Sequence, residues 1–344
     1  MSCLGRLGNQ QIEARFPTKG AKVLHALAYK KSHLGKTAKL VVELPDGKVE
    51  SYFLKVPLIG EIGQKMCKGE YESLKAIYEV SPGFVPKPYY WGEYDKNTQS
   101  YFLLEEFRDI GKQPADPITL ATKLADLHKH SKSPTGKFGF HVKTCHGRIE
   151  QQVDQWDESW AALFHRHLGH IISLAKSTFN WQKFDIVSDL TLEKVVPRLL
   201  LPLQENGRVL KPSLIHGDCW DGNTALDGAT GEAFVFDACS FYGHNEYDTG
   251  NWRASRHLLS GKKYMECYKE TFPVSEPVED WDARNLLYSL PFNLENAMYI
   301  PGSDQRQVVY EEMMTLCKMF CPGDLETAMS GGIKKGEVKA REWR

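Results

Sequence analysis

The chain has 344 residues, 42% of them hydrophobic and 25% charged, which are globular values that exclude a disordered or collagen-like chain and suit two domains or lobes. Lys+Arg total 43 against 44 Asp+Glu, a net charge of -1, so the basic excess of a nucleic-acid binder is missing. No apolar run approaches the ~18 residues of a membrane span, the first residues lack the apolar stretch of a secretory signal, and the eight cysteines form no Cys-x-x-Cys pair, which fits free thiols in a reducing cytoplasm rather than zinc or disulfide chemistry.

Residues 21–55 read as strands. Two β-rich runs, 40–44 and 49–56, flank Pro45-Asp46-Gly47-Lys48, and an Asp-Gly between such runs is a hairpin signal that puts Lys55 near a strand end. Upstream, Gly35-Lys36-Thr37 matches the end of a Walker A motif, but Lys30 stands where the first glycine belongs, so that motif is rejected. Two alternatives stay open for this segment: a strand–turn–strand that lays Ser32, Gly35 and backbone N–H groups against phosphates, or a turn without a ligand. Residues 63–80 read as a helix with Met66, Glu70, Leu74 and Ile77 on one face, stopped by Ser81-Pro82-Gly83. A carboxylate on an inward stripe needs a cation.

Pro86 and Pro88 mark a bend. Residues 101–104 form a short apolar strand that ends in Glu105-Glu106-Phe107, a hinge. The pattern then turns helical, first with Leu120, Leu124 and Leu127, then with Trp156, Trp160, Leu163 and Phe164. His165, His167 and His170 share no single helix face and have no carboxylate at ligand spacing, so they read as a solvated face rather than a metal site. Strands return after Pro212, where Phe234-Val235-Phe236 follows a turn at 227–231. Residues 281–320 are helical again, and the last residues carry Lys334, Lys335, Lys339, Arg341 and Arg344 with little to bury. The order is α+β: a β-rich lobe over 1–107 with one main helix, a larger mostly helical lobe over 108–330, and a basic mobile tail over 331–344.

The strongest chemical signal is His216-Gly217-Asp218-Cys219-Trp220-Asp221-Gly222-Asn223. It fits H-x-D-x-x-x-x-N, the catalytic-loop spacing of kinases, in which the Asp accepts the proton of an attacking hydroxyl and the Asn points its carbonyl at magnesium. Asp237 follows a predicted hairpin and strand, the place of a second magnesium ligand. Lys55 precedes Glu70 by fifteen residues, as a phosphate-binding strand lysine precedes the helix glutamate that holds it. Cys219 and Cys239 read as small buried residues.

These residues carry a family resemblance. Lys137-Phe138-Gly139-Phe140-His141, Trp156-Asp157-Glu158-Ser159-Trp160, the loop from His216 to Asn223, and residues 237–247 with Ser240-Phe241-Tyr242-Gly243-His244 are similar to the fructosamine/ketosamine-3-kinase family over about residues 20–320. The resemblance implies a protein-kinase-like bilobal fold and ATP-dependent phosphorylation of the sugar 3-hydroxyl of ketosamines, whose unstable product releases the amine. It implies ATP and Mg2+ as cofactors. Asp218 would be the base, Asn223 and Asp237 the metal ligands, Lys55 and Glu70 the ion pair, and Glu105, Glu106 and Phe107 the adenine-binding hinge. Cys219, Asp221 and Cys239 depart from the usual family residues, which bears on the substrate rather than the catalytic groups.

Substrate contacts fall to Trp220 as an apolar wall, unless it is a core tryptophan, and to Asp221 and Glu246 as acids facing a cationic amine. His216 and Asp248 would brace the loop, unless Asp248 is a surface carboxylate. Two rivals remain: a kinase of another small amine such as an aminoglycoside or choline, and a nucleotide-binding regulator without catalysis. A monomer is expected, acting on free or protein-linked ketosamine, with no nucleic acid or membrane partner.

Overall fold

The structure, a computed structural model, describes residues 11–31, 34–94, 97–111, 113–300 and 304–331. In chain order the first elements are β1 (Lys22–Lys31), β2 (Gly35–Glu43), β3 (Val49–Pro57), α1 (Gly60–Val80), β4 (Pro88–Tyr94), β5 (Asn97–Glu106) and α2 (Pro117–His130). Next come β6 (Cys145–His146), β7 (Ile149–Glu150), α3 (Trp160–Phe179), α4 (Gln182–Leu190), α5 (Val196–Leu200), β8 (Ser213–Ile215), β9 (Thr224–Leu226), β10 (Ala233–Val235) and β11 (Phe241–Gly243). The chain continues with α6 (Glu246–Gly250), α7 (Lys262–Thr271), α8 (Trp281–Tyr299), α9 (Gln305–Phe320) and α10 (Pro322–Gly331). Ser32 and the tail beyond 331 lie outside the described residues.

The chain divides into two compact units. Of the described residues, the first holds those up to Leu120 together with Val142–Glu150 and Asp221–Ser240; the second holds the others. In the first unit an antiparallel sheet runs in the order β1-β2-β3-β5-β4. The β2–β3 turn closes where Asp-Gly predicted it, with Leu44 N–H donating to the Lys48 carbonyl at 2.8 Å and Gly47 in the left-handed region at φ +82°. Strand alternation sorts the sheet's two faces. Leu40, Val42, Tyr52, Leu54, Phe102 and Leu104 form one buried core. Lys55, in register with Leu103, stands on the opposite face, where α1 buries Met66, Cys67, Glu70, Leu74 and Ile77. The bend predicted at Pro88 is instead the start of β4, an edge strand, the position in a sheet that tolerates proline.

The second unit is mainly helical. α8 is buried on nearly every side from Ala283 to Leu294, the pattern of a central helix. Around it Trp160 packs with Phe164, Phe241, Tyr247 and Tyr288, and Trp160 Nε1–H donates to the Tyr288 hydroxyl at 2.8 Å. α3 begins only at Trp160, capped by the Ser159 side chain, which accepts from Ala162 N–H; Trp156 therefore precedes the helix rather than sharing its face. β8 pairs with β11 antiparallel, and this two-stranded ribbon delivers the chain to His216.

Candidate active site

The loop after β8 is held from behind. Asp248, fully buried in α6, accepts the backbone N–H of His216 at 2.7 Å and that of Gly217 at 2.8 Å. Gly217 takes φ +90°, a conformation that side chains rarely adopt. The backbone then turns so that Asp218 N–H donates to His216 Nδ1 at 3.2 Å. The Asp218 carboxylate accepts from Asn251 Nδ2–H at 3.0 Å, and Trp252 Nε1–H donates to the Cys219 carbonyl at 3.0 Å. Backbone and side chain of Asp218 are thus both fixed, which suits a residue that must orient a hydroxyl. Sequence reasoning missed Asn251; its only signal is its place one turn after Asp248. Trp220 is half-buried, its ring 5.0 Å from that of His257.

The first unit gathers the charged residues. Lys55 Nζ lies 2.7 Å from Glu70 Oε2 and 2.9 Å from Asp237 Oδ1. Burial alone would lower the lysine pKa, but Asp237 and Glu70 outweigh it and push it up. Burial also pushes the Glu70 carboxyl up to about 7, against the pull of Lys55. Glu70 and Lys55 are nearly enclosed, while the Asp237 side chain is 44% exposed. Asp237 also holds φ +56°, a conformation costly for a residue other than glycine, of the kind that clusters at functional sites. The β9–β10 hairpin sets its position: Phe236 N–H donates to the Asn223 carbonyl at 3.0 Å, so Asn223 and Asp237 stand at the hairpin's two ends.

This arrangement fits magnesium. Two carboxylates share one lysine, and Asp237 is the exposed one of the two. Asp237 and Asn223 offer hard oxygen donors, and magnesium commonly takes only one or two protein ligands, the rest being water and phosphate.

The other predicted residues differ in their surroundings. Glu105 is buried on the Lys55 face of β5, its Oε2 has no hydrogen-bond partner, and burial holds its pKa well above the carboxylate range. Glu106 turns away to accept from Lys87 N–H at 3.0 Å and from the Arg108 guanidinium at 3.3 Å. Phe107 lies edge-on to Tyr29 and under the Lys39 ammonium, 4.2 Å from the ring. Gly35 has a packing reason: a Cβ there would stand 2.4 Å from the Val56 carbonyl oxygen. Asp221 is half-buried at the start of a one-turn 3₁₀ segment, Asp221–Asn223.

Glu246 does not face a substrate amine. It is buried, and Arg284 grips both of its carboxylate oxygens at 3.0 and 3.2 Å. The expectation failed because the sequence places the arginine 38 residues away, where no local pattern connects the two. His167 likewise is buried against Tyr247 rather than solvated. No group of three or more metal-ligating side chains occurs among the described residues. Cys219 and Cys239 are buried, as read from the sequence, and burial holds the Cys219 thiol well above its ordinary pKa.

The profile of the fructosamine kinase family matches residues 17–318. A chloroplastic protein-ribulosamine 3-kinase of Oryza sativa subsp. japonica is 32% identical over 240 residues, covering 69% of this chain and 65% of its own length. The chain thus spans just under two thirds of that relative. A ketosamine-3-kinase of Mus musculus is 30% identical over 220 residues, or 57% of this chain and 67% of the mouse protein. Among solved structures, a fructosamine-3-kinase homologue from Haemophilus somnus 129PT superposes with a TM-score of 0.69 at 20% identity, covering 90% of this chain and 96% of that one. An aminoglycoside phosphotransferase in complex with AMP-PNP and hygromycin B gives 0.55 at 12% identity, with 90% and 97% coverage. At these identities the structures speak to fold, which is the α+β fold of this kinase group. With a family profile spanning most of its length, the chain belongs to the fructosamine kinase family.

Proposed function

We propose that the protein transfers the γ-phosphoryl group of ATP to the 3-hydroxyl of a ketosamine, a ribulosamine or fructosamine carried on a protein or a small amine. The observation that carries this reading is the Lys55 ammonium shared by Glu70 and Asp237, set in a chain of this family. Lys55, held in place by Glu70, would meet the α- and β-phosphates. Glu105, Glu106 and Phe107 would border the adenine, and Gly35 the phosphates. Asn223 and Asp237 would hold magnesium, which when bound neutralises phosphate charge. Asp218 would accept the proton of the attacking hydroxyl as its oxygen bonds to the γ-phosphorus and ADP departs. His216 and Asp248 fix that loop, and Trp220 and Asp221 would border the sugar and its cationic amine.

The phosphorylated ketosamine is unstable and sheds its amine, so the net effect is deglycation. The test gives purified protein ATP and magnesium with ribulosamine, fructosamine or a simple amino alcohol, and measures ADP release and the phosphorylated product. Ketosamine-dependent turnover is expected. Turnover confined to the amino alcohol or to an aminoglycoside would move the protein to another amine substrate, and turnover with none would end the kinase reading.

A further inference from the structure

Asp248 does more than accept two backbone amides. Its Oδ2 also receives Nε2 of His128 at 3.0 Å, and both side chains are fully buried. His128 comes from α2, far from the loop in sequence. A carboxylate only accepts, so Nε2 carries the hydrogen. Nδ1 then accepts from the Tyr268 hydroxyl at 2.7 Å. That hydroxyl in turn receives Asn245 Nδ2–H at 3.0 Å, and burial holds it protonated, its pKa well above the ordinary tyrosine value. Asn245 and Asp248 flank the first turn of α6. The bonds therefore close a ring, Asn245–Tyr268–His128–Asp248, that ties α2 and α7 to both ends of that turn, with a donor matched to an acceptor at each step.

We propose that His128 is a positioning residue for the phosphoryl transfer: through Asp248 it fixes the His216 and Gly217 amides and so aims Asp218. This rests on the reading of Asp218 as the base. The physical reason is that a buried carboxylate short of a donor holds its remaining partners poorly, because its charge is no longer compensated. Among the described residues, the His128 ring nitrogen is the one side chain that donates to Asp248, its other two partners being backbone amides. A loop that drifts by a fraction of an ångström loses alignment without losing substrate contacts, and a 1 Å misplacement lowers rates by about 10²-fold.

The test compares His128→Leu, His128→Gln and Tyr268→Phe with the wild type. Hydrogen exchange at the His216 and Gly217 amides is measured beside steady-state kinetics. His128→Leu should lower kcat by about tenfold to a hundredfold with KM for ATP and ketosamine within about twofold. It should also speed exchange at those two amides by about tenfold, while α9 stays protected. His128→Gln, whose amide still donates to Asp248, should restore most of the rate, and Tyr268→Phe should fall between the two. Unchanged amide protection in His128→Leu, or equal loss in His128→Gln, overturns the proposal. If His128→Leu does not fold, the Gln and Phe variants decide by the same two readouts. A wild type that phosphorylates no ketosamine ends the functional reading instead, and amide exchange still decides whether His128 fixes the loop.

Discussion

Single side chains carry the sharpest expectations. Asp218→Asn keeps the shape of the loop and its contact with Asn251 but removes the acceptor proposed for the hydroxyl proton. Turnover should fall by about 10²-fold or more, while ATP binding, measured by calorimetry, stays close to wild type; near-normal kcat would refute the role. Lys55 and Glu70 act as a unit by their 2.7 Å contact. Lys55→Met should damage catalysis and also destabilise the fold, because it strands the Glu70 carboxyl beneath the sheet. Glu70→Gln in that background should add little, since contacting residues are non-additive, and fully additive effects would separate them. The pairing was legible from a strand lysine and a carboxylate on an inward helical stripe, since that stripe demanded a cation. Glu246 was not legible in the same way. A glutamate next to a catalytic segment looks like a surface acid, and only the approach of α8 brings Arg284 to it.

At the scale of elements, local signals reached the pieces that close within a few residues. The Asp-Gly hairpin, α1 with its stop at Ser81, and the turn before β10 were all visible in the pattern. In that turn Asp227 accepts from Ala229 and Thr230 N–H at 2.8 and 3.1 Å. β4 was hidden because proline at its start reads as a bend, and its place at the sheet edge is decided by pairing with β5. The bonds from Asn251 to Asp218 and from His128 to Asp248 were hidden because they join elements distant in sequence. The β9–β10 hairpin is the element on which metal binding would depend, since it sets the spacing of Asn223 and Asp237. Asn223→Ala and Asp237→Ala should each raise the magnesium concentration needed for half-maximal turnover and weaken magnesium-dependent ATP binding. Magnesium titration of both variants checks this, and an unchanged requirement in the pair removes the hairpin from the metal site.

At the scale of the whole molecule, one buried histidine, His244, ties stability to pH. His244 sits in the aromatic core of the second unit, with Nδ1 2.8 Å from the Tyr288 hydroxyl and Nε2 2.9 Å from Ser275 Oγ. Tyr288 already receives Trp160 Nε1–H, so its own hydrogen goes to Nδ1 and the ring is held neutral between two partners. Burial lowers its pKa from 6.5 to about 4; Glu246 opposes the shift, and Arg284 and His128 reinforce it. The unfolded chain therefore binds a proton that the folded chain refuses. The contribution of His244 is complete above about pH 6.5 and is lost as pH falls through about 4. Over that window the shift is worth about 3 kcal/mol. His244→Asn keeps an acceptor toward Tyr288 but cannot take up the proton. Its stability at neutral pH should be lower than wild type, since the smaller side chain leaves space in the core. Its further loss between pH 6.5 and 4 should be smaller. Urea unfolding of both proteins across that range isolates the effect, because every other titrating group is shared. Parallel acid limbs would show that protonation of His244 does not drive the unfolding of this core.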